Sequence, residues 1–312
     1  MKTDLEHTTV AVVIPCYNEA STIAKVVTDF AEALPGATIY VFDNNSTDDS
    51  AAASRAAGAT VVDSPVQGKG NVIRHMASAI DADIYVLVDG DDTYPADAAP
   101  SMIEHLQRGN LDMVVGTRLI DHDAGAFRTF HQFGNQVISG LIRTLFRADV
   151  TDALSGYRAL SRMFVKIVRL RAEGFEVETE MTAQALTKRL AVSEIPVRYG
   201  LRPDGSESKL NTWSDGFLIF RCIFLLFKDY KPLSFFMAIA AMLAAASLAS
   251  GIAPIIDFVK TGYVLHVPRA ILAAGLGTLS IVFLTAGLIL DTIAKFHQET
   301  IELWKESFDK RT

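Results

Sequence analysis

Tyr85-Val-Leu-Val-Asp89-Gly-Asp91-Asp92-Thr-Tyr-Pro95 runs from an apolar tetrapeptide straight into three carboxylates. Tyr85 to Val88 is β-branched and aromatic and too short for a helix, so the pattern predicts a buried strand. A strand ending in Asp-Gly-Asp sets hard oxygen ligands at the carboxyl edge of a sheet, where open α/β sheets bind ligands. Two or three carboxylates there suit Mg2+ or Mn2+ shared with a substrate phosphate. An acidic surface turn is the competing reading, because Asp-Gly is also a common turn dipeptide.

Outward from that stretch, short apolar runs alternate with amphipathic segments. Strands are predicted at 10–14, 39–42, 60–62, 84–88 and 113–115, and helices near 20–34, 47–57, 69–80 and 96–108. Cap residues lie in Asn18 to Thr22 and Ser46 to Asp49. Alternating βα units imply a mostly parallel sheet with helices on both faces, a Rossmann-like α/β architecture. Pro15-Cys-Tyr17-Asn-Glu19 closes the first strand and Phe42-Asp43-Asn44-Asn45-Ser46 the second. Gln67-Gly68-Lys69-Gly70 opens a helix, where a phosphate would meet free N–H groups. Gly68-Lys69-Gly70 lacks the Walker spacing, and such a stretch is more often just a turn. In a parallel sheet all these motifs share one edge with Asp89 and Asp91, hence one site.

The charge is polarised. Residues 1–117 carry a net of −11, and residues 118–171 a net of +5. The acidic first half argues against nucleic acid, and the basic segment after it suits anionic lipid or phosphate. Cys16 and Cys222 lie far apart and form no disulfide framework or metal spacing, as expected of a reducing compartment. Residues 232–256 and 270–290 hold no charge. As helices rising ~1.5 Å per residue they would measure about 37 and 31 Å, enough for a bilayer core of about 30 Å. They predict a transmembrane hairpin joined through Asp257, Lys260, His266 and Arg269.

No signal peptide is visible. Basic residues flank the hairpin (Arg221, Lys228 and Lys231 before it; Lys295, Lys305, Lys310 and Arg311 after it), which places both chain ends in the cytoplasm. Residues 136–147 form a basic amphipathic segment that reads as a core or an interfacial helix, and 213–228 is read as interfacial. The expected organisation is a catalytic domain at 1–212, an interfacial helix at 213–231, the hairpin at 232–292 and a cytoplasmic tail at 293–312.

Pro15 to Glu19, the Asp43 loop, Gly68-Lys69-Gly70, Asp89-Gly-Asp91, Gly116-Thr-Arg118, Asp152 through Ser155-Gly-Tyr-Arg158, and the hairpin occur in that order. In this the chain resembles a family 2 glycosyltransferase with a GT-A fold, of the polyprenyl-phosphate branch. The resemblance covers nearly the whole chain. It implies an inverting hexosyltransferase of the inner membrane that takes a UDP- or GDP-sugar donor and a polyprenyl-phosphate acceptor. A homo-oligomer is compatible with it. It further implies that Pro15, Tyr17, Glu19, Asp43, Asn44, Lys69 and Asp89 bind the donor. Asp89 and Asp91 would hold Mg2+ or Mn2+, and Arg118, Arg158, Arg202 and Lys209 would meet acceptor or donor phosphates. Asp152 matches the position usually assigned as catalytic base. Two positions depart from the family's pattern: Asn44-Asn45 stands where Asp-Gly is common, and Thr93 where mannose synthases tend to have Gln.

A phosphate monoester has a second pKa near 6 and is mostly dianionic at neutral pH. It needs less base catalysis than a sugar hydroxyl, so Asp152 is expected to orient rather than to abstract a proton. Asp92 has no expected role. Glu176, Glu178 and Glu180 read either as a solvated element start or as acceptor-side chemistry. A sugar-1-phosphate nucleotidyltransferase would show a Gly-rich, Arg-containing loop after the first strand, and a processive polysaccharide synthase would show more spans and Gln-x-x-Arg-Trp; neither occurs. A non-catalytic scaffold would not require Asp89, Asp91 and Asp152 together.

Overall fold

The computed structural model describes residues 8–122, 129–174, 176–202, 224–225 and 227–309. It divides into two compact units, 1–222 and 223–312. In the first, β1 (Val10–Cys16), β2 (Thr38–Asp43), β3 (Thr60–Asp63), β4 (Ile84–Leu87) and β5 (Met113–His122) fall where the apolar runs place them. The helices α1 (Ile23–Ala33), α2 (Ser50–Ala56), α3 (Lys69–Ala79) and α4 (Ala98–Arg108) occupy the amphipathic segments between. After β5 come α5 (Thr129–Phe146), β6 (Arg158–Ser161), α6 (Arg162–Ile167), α7 (Val177–Thr187) and β7 (Val192–Tyr199).

The seven strands form one sheet in the order β3-β2-β1-β4-β6-β5-β7. Every pairing is parallel except those of β6, which runs antiparallel to both β4 and β5. Reversal brings the start of β6 to the carboxyl edge: Arg158 lies opposite Leu87 on one side and Val115 on the other. The loop that precedes it, Asp152 to Tyr157, therefore meets Asp89. Apolar side chains cover both faces of the sheet. Ile23, Val26, Phe30 and Met102 pack with Val12, Ile14 and Val86 on one face. Val72, Met76, Phe164 and Met181 pack with Val13, Tyr85 and Leu87 on the other. The sheet is GT-A in form, as the sequence implies.

Two strands escape the sequence reading. β6 is four residues long and starts on an arginine, and β7 carries Glu194, Pro196 and Arg198. Such interruptions suit β7's place at the sheet edge, where a residue without an N–H is tolerated. Pro15 stands within β1 at little cost, because the β1–β4 pairing ends at Val13 opposite Leu87.

In the second unit, α8 (Pro232–Thr261) and α9 (Val267–Asp309) are both long and apolar enough to cross a membrane. They approach through small residues: Ser247 Oγ donates to Ala273 O at 2.7 Å, and Ser280 Oγ to Ala240 O at 2.8 Å. A Cβ on Gly287 would lie 2.8 Å from that of Phe236, so glycine permits the contact. The connection is shorter than expected. Asp257 and Lys260 belong to the last turns of α8, which Gly262 closes at φ +73. Residues 293–309, expected as a tail, continue α9. Residues 213–223 of the expected interfacial helix lie outside the described residues.

Candidate active site

Four strand-end loops knit the edge together. Thr22 Oγ1 donates to Gly90 O at 2.7 Å, tying the loop after β1 to the one after β4. Asn18 N donates to Ser46 Oγ at 3.0 Å, Thr47 N to Asn18 Oδ1 at 2.8 Å, and Glu19 N to Ser50 Oγ at 2.8 Å, which fastens the β1 and β2 loops. Asn18 and Asn45 adopt left-handed backbone (φ 53 and 66), a conformation asparagine tolerates. Pro15, Tyr17 and Glu19 thus stand at the end of β1 beside Asp43 at the end of β2.

Asp43 Oδ1 is buried and has no hydrogen-bond partner among the described residues. A carboxylate oxygen hidden from water without a donor is costly unless a ligand N–H meets it. Asn44, by contrast, is spent on the fold. Its Nδ2 donates to Ser64 O (2.7 Å) and Val66 O (2.8 Å), and its Oδ1 accepts from Gly68 N (2.7 Å). Its amide thereby holds the β3–α3 loop in place.

Gly68 and Gly70 are glycines for packing. A Cβ on either would collide with the backbone carbonyl of Glu173 or Ala172, and Gly70 N donates to Glu173 O at 3.0 Å. The helix start is therefore closed by segment 172–173 instead of presenting a row of free N–H groups. Lys69, held at that start, reaches between two carboxylates. Its Nζ pairs with Asp89 Oδ1 and, at 2.6 Å, with Glu178 Oε1 of α7. Burial would lower the Lys69 pKa, but the two carboxylates outweigh it and hold the ammonium charged. Burial raises the Glu178 carboxyl, and Lys69 opposes that.

Asp91 is 3% exposed. Thr93 donates to its Oδ1 through Oγ1 (2.6 Å) and N (3.2 Å), and Arg202 Nη2 sits 2.5 Å from its Oδ2. Burial and the neighbouring Asp89 raise its pKa, which Arg202 offsets in part. Asp92, the third carboxylate, has φ 58 and turns away to pair with Lys25 of α1 at 2.7 Å. Gly156 lies over the pair: a Cβ there would enter the van der Waals shell of Asp89 Oδ2 and stand 3.0 Å from Lys69 Nζ. Tyr94 Oη accepts from Gly156 N at 3.1 Å and keeps that loop down on the site.

Asp152 is wholly enclosed. Arg118 donates to it from Nε (2.8 Å), Nη2 (2.8 Å) and its own backbone N (3.0 Å). Burial alone would raise the Asp152 carboxyl; the Arg118 guanidinium reverses this and holds it below the usual range. The Arg118 guanidinium carbon also lies 5.5 Å from the centre of the Tyr199 ring. From the start of β6 the Arg158 side chain turns into the interior. It is fully buried and donates to Ser155 O, Ala153 O, Thr182 Oγ1 and Met113 Sδ. Burial pushes its pKa down to about 10. Lys209 lies outside the described residues.

Gly156 and Tyr94 are residues at this edge to which sequence reasoning gave no role, and Glu178, read from sequence either as a solvated element start or as acceptor-side chemistry, pairs instead with Lys69. In α7 Glu178 is buried together with Val177, Thr179 and Met181, whereas Glu180 is only partly buried. Ser139 of α5 accepts from Ala153 N at 3.1 Å, and Asn135 one turn earlier has a buried Nδ2 without a hydrogen-bond partner among the described residues. Among the described residues no three His, Cys, Asp or Glu gather as a metal site. Asp89 and Asp91 are thus a two-carboxylate set, which suits a hard divalent ion only when substrate oxygens complete its shell.

The family profile described as Glycosyl transferase family 2 matches residues 11–168. This chain belongs to glycosyltransferase family 2. As a family 2 glycosyltransferase it is similar to the glycosyltransferase AglJ of Haloferax volcanii, 31% identical over 95% of this chain and 97% of the relative. It is also similar to a dolichyl-phosphate hexose transferase of that organism, 28% identical over 68% of this chain and 91% of the relative. In fold it resembles the glucosyl-3-phosphoglycerate synthase of Mycobacterium tuberculosis solved with Mn2+, UDP-glucose and phosphoglyceric acid. That match has a TM-score of 0.59 at 24% identity, over 72% of this chain and 80% of the other.

Proposed function

We propose that this glycosyltransferase moves a hexose from a nucleoside-diphosphate sugar to a polyprenyl phosphate, inverting C1. The observation that carries the reading is the state of Asp152. Enclosed, held by three hydrogen bonds from Arg118 and kept ionised, it is poorly placed to accept a proton from a sugar hydroxyl. A phosphate acceptor is already ionised near neutral pH and requires no such base. Two helices able to cross a membrane and a relative named for dolichyl phosphate support the lipid form of that acceptor.

In this reading the buried Asp43 Oδ1 receives an N–H of the nucleobase, and Pro15, Tyr17 and Glu19 wall the nucleoside. Asp89 and Asp91 hold Mg2+ or Mn2+ on the donor diphosphate, an arrangement also favoured by the Mn2+ and UDP-glucose named with the structural neighbour. When bound, the cation neutralises charge growing on the leaving diphosphate. Asp152 fixes Arg118, whose charge attracts the acceptor phosphate. Arg202, resting on Asp91, and Lys209 supply further positive charge for the phosphates. The catalytic unit and both chain ends lie on the cytoplasmic face of the inner membrane.

The test offers purified full-length protein a panel of UDP- and GDP-hexoses with undecaprenyl phosphate and, separately, a water-soluble hydroxyl acceptor. Divalent-dependent formation of a lipid-phosphate hexose is expected, detected by mass. Glycosylation of the hydroxyl acceptor with no lipid product overturns the proposal.

A further inference from the structure

Lys69 stands between two carboxylates, and only one of them, Asp89, follows a strand whose end faces the proposed substrate site. The other, Glu178, comes from α7, more than 100 residues later in sequence. Its side chain is 4% exposed and that of Lys69 9%, whereas that of Asp89 is 28% exposed. The packing that makes the bridge is specific. Gly68 and Gly70 let α3 start directly against the 172–173 carbonyls, and Gly156 leaves room for Asp89 and Lys69 in contact.

From this arrangement we infer that Glu178 is a positioning residue for the cation site, acting through Lys69. It shares the ammonium charge so that Asp89 is oriented by Lys69 without being neutralised. With Glu178 the Asp89–Lys69–Glu178 cluster carries a net charge of −1; without it the net is zero and the ammonium belongs to Asp89 alone. The first state attracts a divalent ion to the exposed part of Asp89 and the second does not. Outer partners of this kind commonly set metal affinity. The inference rests on the reading that Asp89 and Asp91 hold the cation.

Glu178→Gln tests it, because the Gln Oε1 still accepts a hydrogen bond from Lys69 and only the charge is lost. Mn2+ binding to the detergent-solubilised full-length protein would be followed by electron paramagnetic resonance in the presence of UDP, and again with GDP. The expected result is a dissociation constant raised about tenfold or more, with thermal unfolding still cooperative. A double variant, Glu178→Gln with Lys69→Met, restores a net of −1 and is expected to recover much of the lost affinity. A merely structural Glu178 would not produce that recovery. Unchanged or tighter Mn2+ binding in Glu178→Gln overturns the inference, as does a double variant weaker than the single. Asp91→Asn separates the two levels. If it binds Mn2+ as the unaltered protein does, the cation site itself is misplaced and the inference falls with it. If it loses Mn2+ while Glu178→Gln does not, only the role of Glu178 is wrong.

Discussion

Replacing Asp152 with Asn removes one negative charge from a side chain with no solvent exposure. Arg118, 14% exposed in its side chain, is left without the partner that holds its Nε and Nη2. Breaking one side of a buried ion pair costs about 3–5 kcal/mol, and Asn keeps one acceptor, so a loss near the lower end, about 3 kcal/mol, is expected. For a unit of this size that corresponds to a Tm lower by about 6–12 °C. The pH dependence has a definite sign. The folded-state pKa of Asp152 lies below its unfolded value of about 3.9, so the pair's contribution is present in full above that value. It disappears as pH falls through the folded-state pKa. The Tm gap between the unaltered protein and Asp152→Asn should therefore stay constant from pH 8 to about pH 5 and close in stronger acid. Transfer should fall about 10- to 100-fold through misplacement of Arg118, with the acidic limb of the pH–rate profile unmoved. A variant that stays folded, binds substrates normally and loses a kinetic pKa would refute the orienting role and make Asp152 the base.

Gly156→Ala should displace Asp89 by close to 1 Å, because its Cβ would occupy the shell of Oδ2. Transfer should fall about a hundredfold while circular dichroism is preserved; a rate within threefold of normal would contradict the geometry. Burial pushes the Cys16 thiol up to about 12, so the folded protein should resist thiol reagents at Cys16 at pH 8, as read by mass spectrometry of digested protein. Arg158→Met leaves the Ser155 and Ala153 carbonyls without their donor, at about 1–3 kcal/mol each. It should lower Tm without raising the KM for the acceptor, and a raised KM at unchanged Tm would return Arg158 to the phosphate site.

The local code was sufficient for much of the fold. Val10–Ile14, Ile39–Phe42 and Ile84–Val88 alternate with amphipathic runs at the right periods, and each element is decided within a dozen residues. The same reading placed Asp89 and Asp91 at a sheet edge, because a strand followed by Asp-Gly-Asp has little choice about where its carboxylates emerge. It missed β6 and β7, whose apolar signal is short or interrupted and whose stability comes from neighbours distant in sequence.

What tertiary structure alone decided is which polar groups face a ligand and which face the protein. Arg118 and Arg158 look alike as isolated arginines, yet reversal of β6 sends Arg158 into the interior and leaves Arg118 clamped to Asp152 near Tyr199. Asn44 and Asp43 are adjacent, but only Asp43 keeps an unmet oxygen, because the Asn44 amide fits the carbonyls of the next loop. Gly68, Gly70 and Gly156 read as turn glycines until the chain segments that press on them are known. Sequence by itself determined five of the seven strands, the acidic edge and the two apolar helices, since these follow from short-range periodicity and composition. Which groups meet that edge was decided by close approach, above all the Glu178–Lys69 contact across more than 100 residues, which periodicity does not encode.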